Sequence, residues 1–301
     1  MDYLKSCTVG NMHQSSNPQR KVPTRRISFE ESLQDLPRHF AVDGDLVSSH
    51  VAASLSSLFP DGEDFFVKSV RHYRDEITDP ELKRQVSGFI GQEAVHGREH
   101  RVLNDRLAEL GYPTKAYEAI TRKGLAIRWK LAPAKANLAV TAALEHFTAT
   151  LAELVLSNEE TRKQFGENAV QEVFTWHALE ESEHKAVAFD VYKAIGGGER
   201  LRVWTMKFLR YGFVGALAVQ VMVSLAMDKR TYKPGVLRKS LARFLKSPVV
   251  SKRIWEQLKD YDRPDFHPDD SDTDALVAEW RAELFGAEGT LNDKLAGAVA
   301  S

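Results

Sequence analysis

The sequence is poor in the features that mark many functional classes. It has one cysteine, Cys7, so an intrachain disulfide framework is excluded, and a lone thiol fits a reducing compartment. Cys7 lies in a polar N-terminal segment and reads as an incidental thiol rather than a nucleophile. Charge of neither sign dominates: 41 Lys and Arg stand against 42 Asp and Glu. That balance gives no bulk attraction to nucleic acid or to anionic lipid. A phosphate-binding glycine loop and a separate general-base motif are missing. No N-terminal apolar run has the length of a secretion signal. The longest uncharged apolar stretch, 211–227, has 17 residues, fewer than the roughly 20 that a bilayer-spanning helix needs. The expectation is a cytoplasmic protein with no nucleic-acid partner.

What the sequence does contain is organised around residues 176–184, Trp-His-Ala-Leu-Glu-Glu-Ser-Glu-His, a stretch without Gly or Pro. As a helix it places His177, Glu181 and His184 within about 60° of one another, at about 100° per residue. Residues 92–100 echo it, with Glu93, His96 and His100 on one face. Two imidazoles and a carboxylate on one narrow stripe are costly to bury unless a cation sits among them. Two Glu-x-x-His pairs, Glu93/His96 and Glu181/His184, are the pattern of a dinuclear carboxylate site inside a four-helix bundle.

The remaining members of that pattern follow in order. A helix expected over 61–77, capped by Asp61, carries Glu63 on an apolar stripe with Phe66, Val67 and Val70. A second, started by Asp79-Pro80 and ended near Gly111, carries Glu93, His96 and His100. A segment from 112 to 133 is long enough to cross the bundle from end to end. A third helix from about 133 to 157 turns Leu138, Thr141, Ala142, Glu145, Thr148, Ala149 and Ala152 inward, one carboxylate among small residues that leave room for a cavity. A fourth carries His177, Glu181 and His184 and stops at the triple glycine 196–198. The order is lone Glu, Glu-x-x-His, lone Glu, Glu-x-x-His. The expected fold is all-α: a ferritin-like four-helix bundle with a dinuclear metal site plus additional C-terminal helices. The expected division is a disordered segment 1–24, the bundle 25–198, an apolar and basic helical extension 199–259 packing on it, and an acidic tail 260–301 without assigned chemistry.

The strings FPDGEDFF, ITDPELKRQVSGFIGQEAVHGREH, ALEHFTA and WHALEESEHKAVAFDVY, with the lead-in RRISFEESLQDLPRHF, resemble the bacterial family of predicted metal-dependent hydrolases across about 23–268. The order of the ligand motifs also resembles the di-iron N-oxygenases that oxidise aryl amines. That second resemblance implies Glu63, Glu93, His96, Glu145, His177, Glu181 and His184 as ligands, with His177 the additional histidine of those enzymes. His100 departs from the pattern, either as an eighth ligand or as a donor supporting another ligand. Glu180 and Asn104 are further candidates for supporting the ligands.

Four carboxylates match the charge of two divalent ions, and mixed oxygen and imidazole donors suit Fe, Mn or Zn. The chemistry expected first is O2 activation at a di-iron pair, oxidising a small or apolar substrate with an electron donor as partner. The alternative is hydrolysis by a metal-bound hydroxide, and a third reading is non-catalytic metal binding. Segment 211–227, flanked by basic residues, is expected to pack on the bundle, dip into a membrane surface, or form a homodimer interface or substrate channel.

Overall fold

The computed structural model describes residues 20–296. Cys7 and most of segment 1–24 lie outside the described residues. The chain is helical, about 72% by residue, and among the described residues there is no strand. It begins as an irregular strap over 20–45. The strap runs along α3 (Pro80–Glu109) because two glycines in that helix's interior, Gly88 and Gly91, leave no side chain to collide with Val22 and Thr24. Ile27, Phe29, Leu33 and Leu36 of the strap are buried. Its backbone pairs with the other end of the described chain through Ser28 N–H to Lys294 O and Ala296 N–H to Arg26 O.

Helices α1 (Leu46–Ser56) and α2 (Phe59–Arg71) follow in close succession. α2 starts two residues earlier than the sequence suggests and ends six earlier. Pro60 occupies its first turn, where a missing N–H costs nothing. Asp61 is therefore not the cap; it is buried in the first turn and bonded by Arg122. α3 is capped by Asp79, whose side chain accepts from Glu81 N–H. The crossover is itself a helix, α4 (Thr114–Leu131). α5 (Ala134–Ser157) and the short α6 (Glu159–Lys163) lead to α7 (Ala169–His184), which breaks at Lys185 and Ala186 before α8 (Val187–Ala194). The fourth expected helix is thus divided between α7 and α8.

α2, α3, α5 and α7 form the central bundle, with α2 against α3 and α5, and α7 against α3 and α5. α9 (Glu199–Ala226) lies along α1 and α5, α10 (Val236–Phe244) packs on α1, α11 (Lys252–Asp260) on α5, and α12 (Asp274–Phe285) on α7. α7 is surrounded: of its sixteen residues only Gln171 and Glu172 escape burial. A helix with His177, Glu180, Glu181, Glu183 and His184 at the centre of the molecule needs a partner for each of those groups.

Candidate metal centre

All eight residues singled out as metal ligands are buried and come together between the four central helices. α2 brings Glu63, α3 brings Glu93, His96 and His100, α5 brings Glu145, and α7 brings His177, Glu181 and His184. Glu181 Oε1 is central, at 2.9 Å from His177 Nε2, 3.7 Å from His96 Nδ1 and 3.6 Å from His184 Nε2. Around it, His184 Nε2 lies 3.1 Å from Glu93 Oε1 and 3.4 Å from Glu145 Oε2, and His177 Nε2 lies 3.6 Å from Glu63 Oε1. Gly97 lets α3 approach α2 here: a Cβ on it would stand 3.3 Å from Glu63 Oε2.

The donor atoms converge without satisfying one another. Both carboxylate oxygens of Glu63, Glu93 and Glu145, Glu181 Oε2, His96 Nδ1 and His184 Nε2 are buried and make no hydrogen bond. Among the described residues, no Lys or Arg lies within ion-pair distance of these four carboxylates. Orphaned buried oxygens at such density need either protons or a shared cation. The residues therefore fit a pair of divalent ions, which would neutralise the four carboxylates.

The protonation of the centre shows the same deficit of positive charge. Burial, and then the neighbouring carboxylates, push the Glu63 and Glu145 carboxyls well above their usual range. Burial raises Glu93 to about 7 despite its contact with His184. For Glu181, attraction to His184 and then the contact with His177 overcome burial and hold it well below the usual range; the same pairing holds His184 well above its own. Burial, and then His177, keep His96 and His100 neutral.

Each of the three imidazoles that face the centre is held from behind, which fixes the nitrogen it presents. For His184, Gln92 Nε2 donates to Pro23 O and Glu183 Oε2, so Gln92 Oε1 must accept from His184 Nδ1, 2.9 Å away, and Nε2 faces inward. For His96, Nε2 donates to Glu180 Oε2 at 3.0 Å, leaving Nδ1 inward. For His177 the relay is longer. Asn104 Nδ2 donates to Glu118 Oε1 and Ser56 O, so its Oδ1 accepts from the Ser56 hydroxyl. Ser56 Oγ then accepts from His100 Nδ1 at 2.9 Å, His100 Nε2 accepts from His177 Nδ1 at 2.7 Å, and His177 Nε2 faces inward. Both ring nitrogens of His100 are thus occupied by protein partners, although its position beside Glu63 and His177 is within metal-binding reach.

Several of these partners were not visible in the sequence. Arg25, on the strap, donates to Glu180 Oε1 at 2.8 Å and to both oxygens of Glu183 at 2.8 and 2.7 Å. Arg281, from the tail to which no chemistry was assigned, also binds Glu183. Glu183 could have been suspected, since it shares the motif with Glu180 and Glu181. Nothing local marks Arg25 or Arg281, which are 155 and 101 residues from Glu180.

A cavity of about 730 Å³ reaches the centre from the side of α9. Glu63, His177 and Glu181 form one end, and its wall is built mainly from apolar side chains of α1, α2, α4, α5 and α9. The small residues expected beside Glu145 contribute, with Thr148 and Ala152 on the wall.

A family model described as predicted metal-dependent hydrolase matches residues 23–272. The chain belongs to that family. The matched span contains Arg25 and all eight buried residues of the centre, and stops before α12, so the Arg281 clamp lies outside it. No curated protein and no solved structure matches the chain.

Proposed function

We propose that this family member is a dinuclear metal-dependent hydrolase acting on an ester or amide carried by an apolar group. The observation that carries the reading is the convergence of orphaned carboxylate oxygens and inward-facing imidazole nitrogens at the end of an apolar cavity. Glu63, Glu93, Glu145, Glu181, His96, His177 and His184 would hold two ions of Fe, Mn or Zn, and His100 would serve His177 rather than a metal. The bound pair would supply an acidified water and a Lewis-acid pull on the scissile carbonyl. The chain's own part is to fix the three imidazoles through Gln92, Glu180 and His100, to bind the apolar group along the cavity, and to keep bulk water out.

One observation favours a second reading, O2-dependent oxidation of the apolar substrate. Among the described residues, the titratable side chains on the cavity wall are Glu63, His177, Glu181 and Arg128, so within them no separate acid or base serves a hydrolytic leaving group. That reading also requires an electron donor. The test is turnover of p-nitrophenyl esters of increasing chain length by Zn-, Mn- and Fe-loaded protein, with and without O2. Metal-dependent cleavage that persists anaerobically supports hydrolysis. No cleavage with any metal, together with O2 uptake by the reduced Fe-loaded protein, would replace it with the oxidative reading.

A further inference from the structure

The apolar stretch 211–227 and its basic flanks leave open packing on the bundle, shallow membrane insertion, and a dimer interface or channel. The structure adds where its faces point. One side lies on α1 and α5, with Arg202, Met206, Arg210, Val221 and Leu225 buried. The other side is bare: Trp204, Phe208, Tyr211 and Met222 are 70%, 76%, 65% and 60% exposed. α4 adds Ile127 and Leu131, also exposed, and the two helices touch through Tyr117 O–H donating to Gln220 O. Folded proteins seldom leave so broad an apolar face without an occupant. Because one side of α9 is committed to the bundle, the helix cannot cross a bilayer alone, and any lipid contact is in the plane of the surface.

Charge decides between a bilayer and a second copy. Residues 200–253 hold thirteen Lys and Arg and one acid, Asp228; Arg202 and Arg210 are buried on Glu199 and Asp262, and Arg243, Lys252 and Arg253 pair with acids outside this stretch. Asp228 is buried and already bonded by Arg38 and His39. Lys207, Lys229, Lys233, Lys239 and Lys246 are exposed along this region. A two-fold interface would bring that cationic surface against itself. An anionic headgroup layer complements it, with Trp and Tyr at the boundary as in interfacial helices. The cavity ends in the same place: Trp204 and Phe208 are on its wall as well as on the exposed face.

We infer that the α4–α9 face docks in the plane of an anionic lipid leaflet, and that the cavity takes the acyl chain of a lipid substrate from it. The substrate part rests on the metalloenzyme reading; the docking part does not. The test uses the full metal-loaded chain and sedimentation with vesicles of phosphatidylcholine, with or without one-third phosphatidylglycerol. Binding to the anionic vesicles is expected, at least tenfold weaker to phosphatidylcholine alone. The Trp204→Glu/Phe208→Glu double variant should lose at least tenfold in binding while keeping its metal and its monomeric elution. Cis-parinaric acid should bind one per chain, and Leu209→Trp, on the cavity wall, should weaken that at least fivefold without changing vesicle binding. A wild-type chain that ignores vesicles overturns the docking, and if it elutes as a dimer that the double variant splits, a second copy is the occupant. Unimpaired vesicle binding by the double variant would also overturn it, and absent parinaric acid binding would overturn the acyl-chain part. Glu181→Ala should lose metal and still bind vesicles. A chain that binds vesicles but never metal would sink the catalytic reading alone.

Discussion

Arg25→Met tests whether the centre depends on the charge network behind it. Arg25 is 9% exposed and makes three bonds of 2.7–2.8 Å to Glu180 and Glu183. Burial opposes its charge, yet Glu183 and then Glu180 raise its pKa above the ordinary arginine value. Methionine keeps much of the stem's volume and removes the guanidinium. Glu183 would retain Arg281 and Gln92, so its burial stays compensated. Glu180, fully buried, would keep only His96 Nε2 among these bonds. Breaking a buried ion pair from one side costs about 3–5 kcal/mol, and the surviving partners of Glu183 put the expected loss near about 3 kcal/mol. Glu180 also orients His96, so metal affinity should fall about 10- to 100-fold. Urea unfolding of the metal-loaded protein reads the first quantity and a chelator competition reads the second. Arg25→Lys, with one ammonium for a forked guanidinium, should fall between. A loss below about 1 kcal/mol with unchanged metal affinity would mean that the centre does not depend on Arg25.

Three further outcomes follow from the same geometry. His100→Ala should weaken one of the two metal positions about 10- to 100-fold without abolishing it, as seen in a two-step metal titration; complete loss of one ion would make His100 a ligand. Burial holds His50 at about 4 against an ordinary 6.5, so the folded state binds fewer protons than the unfolded state between those values. Stability should therefore fall as pH drops through that window, by up to about 3 kcal/mol, and His50→Gln should flatten that part of the unfolding profile. Thr148→Phe, on the cavity wall beside Glu145, should cost about 1–3 kcal/mol of stability and shift chain-length preference toward shorter esters; an unchanged preference would place the substrate elsewhere.

The helical centre was legible because its signals are local. Pro80 after Asp79, Gly111 and the 196–198 glycines mark ends, and Glu-x-x-His spacing marks a face. The start of α2 was misjudged because Asp61 has a cap's chemistry but a better partner in Arg122 from α4. The break inside the fourth helix at Lys185 was not visible, since no Gly or Pro stands there and Lys185 turns out to be bonded to Ser271 and Thr273. The candidate donors were readable as residues sharing a face, whereas the groups that fix them were not. Gln92 and Ser56 look like ordinary polar helix residues until the strap brings Pro23 to the first and α3 brings His100 to the second. The basic flanks of 211–227 were readable despite whole-chain neutrality, whereas the side of α9 left bare was not, because the sequence does not say which face α1 and α5 cover.

Two metal ions at the centre of this bundle are the proposal on which the rest depends. The most direct measurement is metal content per chain by elemental analysis, on protein loaded anaerobically with Fe(II), Mn or Zn and freed of excess. Two ions per chain are predicted, falling toward none in Glu181→Ala, because Glu181 Oε1 lies within 3.7 Å of all three inward imidazoles. Wild-type protein that holds no stoichiometric metal, or a Glu181→Ala variant that still holds two ions, would rule out a dinuclear centre at these residues.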